Sequence, residues 1–326
     1  MNRQQIYEKY MRHASIFIAG NILNFKLETI SFIMTRVRCL MEKDIEGEIN
    51  IPETDFDSII SYLLVNTDFF NSFCSNYIHD GNNYYKIRND DRHGPLVTTM
   101  YAIYPKLVTI LSDALISAVY NDDNESKKCG TLSDLKKCGI DFLEEHVDHK
   151  FLRDCAKERS CFKWVDSGWV MPTKKEQYEL LKLKRDVMIV VNHLSRTNVD
   201  IKSTRVRLLP NPHAGNHPTL HVEHISSYFF RYFLEEYKLV LEEIEKKENI
   251  SDRPCYELYW LITNMCPMSR GSASAAKVVL NAALHYLGFG MVIEKEEYRR
   301  QVDWVSMFSP DFENFYENKN SFFENL

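Results

Sequence analysis

Between Cys266 and Ser274 the chain reads "CPMSRGSAS", one arginine followed by a run of very small side chains, directly before "AAKVVLNAALHYLGF". Val278, Val279, Ala282, Ala283, Tyr286 and Leu287 fall on one helical face, so a helix is expected to begin near Ser272 or Ala273. The first turn of a helix has unpaired N–H groups and the positive end of the dipole. With Gly271, Ser272, Ala273 and Ser274 in that turn, no bulky group stands between those N–H groups and an approaching anion. Arg270 adds a forked cation suited to phosphate or carboxylate. Lys277 can assist if it turns back toward the helix start. Close helix packing uses the same small residues, with Arg270 in a surface ion pair, and spacing alone leaves both readings standing.

Three further constellations could carry chemistry. His217, His221 and His224 are spaced i, i+4, i+7, with His213 just upstream; on one helix face they could hold zinc. Pro218 pushes His217 to or before the helix cap, and no carboxylate shares the register, so no metal site is expected. A nucleotide-facing or capping role is the alternative for His221. Arg205 and Arg207 alternate with Val206 and Leu208 on a strand, where solvated charge is the plainer reading. Cys266 precedes a proline beside the proposed anion site, and a packed thiol is favoured there over a nucleophile.

The elements that must position these residues are mainly helical. Glycine (11) and proline (10) are scarce for 326 residues, which disfavours a turn-rich all-β fold. "ETISFIMTRVRCLM" and "FDSIISYLLVNTDFF" each show about three turns of amphipathic pattern, and "HDGNNYYKIRNDDRHG" reads as a loop. A long helix is expected from Pro95 through Leu96, Met100, Ile103, Leu107, Ile110 and Ala114, with a kink at Pro105. Short helices are expected across 131–185. "DVMIVVNHL" and "TRVRLL" predict a single β-hairpin. Pro218 is expected to open a helix with the stripe Val222, Ile225, Phe229, Phe233, Tyr237, Val240 and Ile244, and "SDRP" to cap the next, "CYELYWLITN".

A formal net charge of −6 gives no footprint for nucleic acid, and no window has the apolar length of a membrane span. "ASIFIAGNIL" lacks the features of a signal peptide. Eight dispersed cysteines without a C-x-x-C predict reduced, mostly buried thiols in a cytosol-like reducing compartment, with secretion into a host cell left open.

Pro267, two residues, Arg270-Gly271-Ser272-Ala273 and a small-residue helix closing on Gly288 together resemble the avirulence protein B family of bacterial effectors. "GPLV" (Gly94 to Val97) resembles the start of an earlier helix in that family. The family belongs to the Fic/Doc-related (Fido) fold, and the same stretch resembles a degenerate Fic motif. Cys266 stands at the motif's histidine; Pro267 and Gly271 match; Met268, Arg270, Ser272, Ala273 and Ser274 depart from it.

The resemblance implies a mainly α, Fido-type helical core over 91–326 with one β-hairpin flap, and a helical extension over 1–90. It implies a nucleotide or nucleotide-sugar held by Arg270, Gly271, Ser272, Ala273, Ser274 and Lys277, with no metal required. The implied activity is transfer to a protein side chain, a host protein being the expected partner. Glycosyl transfer is favoured over AMP transfer, because a Fic AMP-transferase uses the missing histidine as general base. In that chemistry Arg270 and the helix start stabilise the departing diphosphate. Asp303, roughly where the family carries a pocket aspartate, and His221 are the candidate catalytic residues. Arg205 and Arg207 would lie on the flap and face the target. The alternative is a catalytically silent adaptor that holds a partner in the groove beneath the flap.

Overall fold

A computed structural model describes residues 2–75, 85–88, 97–99, 186–211, 217–247, 250–299, 301–309 and 311–326. Most of the helix expected from Pro95, the short helices of 131–185, His213, and cysteines 129, 138, 155 and 161 lie outside the described residues. Among those described the chain is mainly helical. It divides into two compact units: 1–90 with 233–293 and 323–326, and 91–232 with 294–322. Residues 1–90 thus form one body with the later helices.

In the first unit, α1 (Arg3–Ala19) opens with a capping box: the Asn2 side chain accepts from the Gln5 N–H, and the Gln5 side chain from the Asn2 N–H, each at 2.9 Å. Its buried face, Ile6, Tyr10, Ala14 and Ile18, repeats every fourth residue. Then come α2 (Leu27–Ile45), α3 (Phe56–Val65) and α4 (Thr67–Phe73), as the two amphipathic patterns predict. α5 (Phe230–Lys246) buries Phe233, Tyr237, Val240 and Ile244 from the expected stripe, but it starts only at Phe230.

α6 (Arg253–Met265) is buried from Pro254 to Met265, the pattern of a helix enclosed on every side. Its N-cap is Asp252, with Pro254 in the first turn, as "SDRP" predicts. α7 (Ser272–Tyr286) begins at the expected residue and packs on α1 and α6. Its buried Ala275, Ala276, Ala282 and Ala283 let those helices approach closely, so the close-packing reading holds one turn beyond the proposed anion site.

Cys39 on α2 and Cys74, just past α4, form a disulfide, which corrects the expectation of reduced thiols at these two positions. One turn earlier on α2 the buried Arg36 donates from Nε to the Leu63 carbonyl (3.0 Å), near the C-terminal end of α3. Its guanidinium lies 4.2 Å from the Phe70 ring centroid. That cation thus satisfies a helix-end carbonyl and an aromatic face, and burial lowers its pKa.

The second unit holds an antiparallel sheet with strand order β1-β4-β3-β2. Its strands are β1 (Val97–Thr99), β2 (Asp186–Leu194), β3 (Val199–Asn211) and β4 (His217–His224). The expected hairpin is β2–β3, turning across Ser195 to Asn198, where Asn198 takes a positive φ of 54°. The sheet corrects the sequence reading in two places. His217–His224 is a strand and not the start of a helix, and Val97–Thr99 pairs with it instead of beginning one. α8 (Val302–Phe308), α9 (Phe312–Glu317) and α10 (Lys319–Phe322) also belong to this unit. β5 (Val292–Glu294) and β6 (Phe323–Asn325) pair with each other. Among the described residues no helix is long and apolar enough to cross a membrane.

Candidate functional site

The α6–α7 turn is built from backbone geometry that its sequence enforces. Cys266 ends α6 in the left-handed region (φ 44°), and its N–H donates to the Ile262 carbonyl at 2.8 Å. Met268 is fully buried and anchors the turn in the core. Gly271 is the N-cap of α7 at φ 89°, a conformation glycine adopts without a Cβ penalty. Its carbonyl accepts from the Ala275 N–H at 3.0 Å, closing the first helical turn. The Ser272 hydroxyl accepts from the Met268 N–H at 3.0 Å and so turns back into the loop.

Ser272, Ala273 and Ser274 supply the N–H groups that precede the first intrahelical bond. Ser272 is buried, while Ala273 and Ser274 are half-buried and face outward to that degree. Arg270 is exposed and has no hydrogen-bond or ion-pair partner among the described residues. Lys277 is half-buried on the second turn.

A segment that sequence reasoning left in a loop covers the other side of this turn. Ile87 bridges Met268 in antiparallel fashion, the Arg88 N–H donates to the Pro267 carbonyl (2.8 Å), and the Ser269 N–H donates to the Lys86 carbonyl (2.8 Å). The Arg88 side chain donates from Nε to Cys266 (2.8 Å) and from Nη2 to Met265 (3.0 Å), both carbonyls at the end of α6. A cation there meets the negative end of the helix dipole. Tyr85 is buried with its ring against Gly271, and its carbonyl accepts from the Ser31 hydroxyl of α2. The apolar–polar alternation of "YYKIR" was the signal for this segment, but it is too short to stand out from a loop.

Gly271 is therefore closed off by the Tyr85 ring, and Ser272 by its own hydrogen bond. Of the stretch 270–274, the N–H groups of Ala273 and Ser274 are the part these contacts leave uncovered, and the exposed Arg270 precedes them in the chain.

The remaining candidates belong to the second unit. His221 and His224 lie on β4, where residues three apart fall on opposite faces, so the helical i, i+4, i+7 reasoning for zinc no longer applies. His221 is in register with Arg207, and Glu223 with Arg205. The Arg205 guanidinium stands 3.9 Å from Glu223. Both arginines sit on β3, which is hydrogen-bonded to β2 on one side and β4 on the other. The strand order leaves β2, not β3, as the edge of this hairpin. Asp303 lies half-buried in the first turn of α8.

The buried face of the sheet carries polar groups that sequence reasoning missed. Asn192 is in phase with the buried Val190 and Leu194, and Thr204 is cross-strand from both Val190 and His224. Asn192 and Thr204 have no side-chain hydrogen-bond partner among the described residues. The His224 ring lies 6.4 Å from that of Trp304 on α8. Among the described residues no group of histidine, cysteine, aspartate and glutamate is arranged to hold a metal ion.

No protein-family model matches the chain, and no curated protein is significantly similar to it in sequence.

Proposed function

We propose that the chain is a Fido-type transferase that binds the phosphates of a nucleotide or nucleotide-sugar at the start of α7. The observation that carries this reading is the exposed Arg270, without a partner among the described residues, directly before a helix start whose first residues are Ser272, Ala273 and Ser274. A diphosphate leaving group accumulates negative charge as its bond to the sugar breaks, and a guanidinium with helix-start N–H groups stabilises that charge most where it is greatest. Glycosyl transfer suits the site better than AMP transfer, because Cys266 occupies the histidine position of the Fic motif and serves as a helix-ending residue. The acceptor is a protein side chain whose oxygen or nitrogen bonds to the sugar carbon. Its proton passes to a general base as that bond forms.

One observation favours a second reading, that of a catalytically silent adaptor. Tyr85 packs on Gly271 and closes half of the stretch that a full diphosphate cradle needs. A binding module needs no such opening.

Thermal-shift titration with inorganic phosphate, nucleoside diphosphates and nucleotide-sugars separates the two. A ligand that binds only the folded state raises the midpoint by mass action. The transferase reading expects a rise with diphosphate-bearing ligands that is lost in Arg270→Ala, and mass spectrometry then seeks the added sugar on acceptor proteins. No rise with any of these ligands leaves the adaptor.

A further inference from the structure

From Asp44 to Ser75 the chain contains seven aspartates and glutamates and no lysine, arginine or histidine. Three of the seven meet basic side chains from outside the stretch, Asp44 with Lys9 (3.4 Å), Glu48 with Lys43 (2.6 Å) and Glu53 with His13 (3.5 Å). Lys43 also lies over the Phe73 ring, while Asp55, Asp57 and Asp68 are in no ion pair among the described residues. The same stretch forms α3 and α4 and displays large apolar side chains to solvent. Tyr62 is 50% exposed, Val65 81% and Phe69 50%, with Phe32 of neighbouring α2 at 59%. Tyr62 and Phe69 meet edge to face at 5.3 Å, and Phe69 stacks on Phe73 at 6.0 Å.

This surface is held rigidly from below. The Arg36 guanidinium lies over the rings of Phe32 and Phe70, its Nε bonds the end of α3, and Cys39–Cys74 ties α2 to the end of α4. Exposed aromatic clusters of this kind mark interaction sites, and rigid anchors lose little entropy when a partner docks. The surrounding charge sets the partner's sign. Asp68 adjoins Phe69, and the exposed Glu53, Asp55 and Asp57 lie at the start of α3, ahead of Tyr62. A second copy of this chain or an anionic membrane would bring like charge against them.

We propose that the α3–α4 face docks a basic amphipathic segment of a partner protein. Its apolar side chains would seat on Tyr62, Val65 and Phe69, and its lysines or arginines would face Asp55, Asp57 and Asp68. The proposal is independent of the nucleotide reading, since it uses none of the residues of the α6–α7 turn.

The test uses the full chain and two synthetic helical peptides that share one leucine- and tryptophan-bearing face. One carries lysine and arginine on its flanks, the other glutamate. Fluorescence anisotropy is read at low and at raised salt. The basic peptide is expected to bind, to weaken as salt rises, and to bind about tenfold more weakly to Phe69→Ala or Tyr62→Ala. An unchanged melting midpoint in those variants verifies that their folds are kept. In Asp57→Asn/Asp68→Asn the salt dependence should flatten. Equal affinity for both peptides, no binding, or undiminished binding by Phe69→Ala overturns the proposal. So does concentration-dependent dimerisation abolished by Phe69→Ala, or capture of the chain by phosphatidylserine vesicles.

Discussion

The ring of Tyr85 occupies the space that any side chain on residue 271 would need: a Cβ built on Gly271 stands 2.7 Å from Cδ1 and 3.0 Å from Cζ. The same glycine has φ 89°. Gly271→Ala therefore meets two penalties, about 1–2 kcal/mol for the left-handed backbone and about 1–3 kcal/mol for overpacking. A loss of about 2–4 kcal/mol is expected from urea denaturation followed by far-UV circular dichroism. The double variant Tyr85→Ala/Gly271→Ala removes the overlap but not the backbone strain, so the two losses should fall short of additive. Wild-type stability in Gly271→Ala would mean that neither the ring contact nor the left-handed backbone holds at residue 271.

The Cys39–Cys74 crosslink spans a sequence separation of 35 residues. Chain-entropy reasoning for a loop of that length gives about 3–4 kcal/mol of stabilisation through the unfolded state. Cys39→Ser/Cys74→Ser should lower the denaturant midpoint accordingly, and dithiothreitol should then have no further effect on the stability of this unit. If dithiothreitol lowers the midpoint of wild type and variant equally, this pair is not the source of the stabilisation.

The helices were legible where apolar spacing and caps agreed. Pro254 after Asp252, and the small residues before Val278, marked the starts of α6 and α7. β4 was misread because Val222, Ile225 and Phe229 mimic helical spacing. Yet Leu220 and Val222 also alternate, and the helix proper waits until Phe230, after Ser226 caps a short 3-10 turn by accepting from the Tyr228 N–H. Pro95 suggested a helix start, but the β-branched Val97, Thr98 and Thr99 pair with β4. The start of α7 directly after Arg270 was legible in the run of small residues. The packing of Tyr85 on Gly271 was not, because it joins residues nearly two hundred positions apart, a contact no local pattern encodes. The Cys39–Cys74 pairing was hidden for the same reason: eight cysteines give many pairings and spacing selects none.

Alkaline pH should destabilise the first unit. Burial, with help from nearby Asp252, pushes the Cys255 thiol up to about 12. Burial likewise raises the phenols of Tyr237 and Tyr10, the latter also beside Asp44. In each case the unfolded state releases its proton at a lower pH than the folded state. The stabilisation is therefore complete below the unfolded value, near 8.5 for cysteine and 10 for tyrosine, and is lost as pH rises toward the folded value. Each group should add a slope of about 1.4 kcal/mol per pH unit within its window. Denaturation midpoints measured from pH 8 to 11 should fall, and less steeply in Cys255→Ala. Identical slopes in variant and wild type would show that the thiol titrates normally.

Two arginines serve the same turn in different ways, and mutating each should tell them apart. Arg88 donates from its side chain to the Met265 and Cys266 carbonyls, closing the end of α6. Hydrogen bonds from a charged donor contribute about 1.5–3 kcal/mol, so Arg88→Ala is expected to cost about that much stability, whatever ligand is present. Arg270 is exposed and without a partner among the described residues, so Arg270→Ala should change stability by less than about 0.5 kcal/mol. Its effect should appear only as a lost thermal shift with diphosphate-bearing ligands. Urea denaturation of both variants without ligand checks the contrast. A large loss in Arg270→Ala would assign that guanidinium to holding the turn together, leaving the α7 start without a free cation for a phosphate.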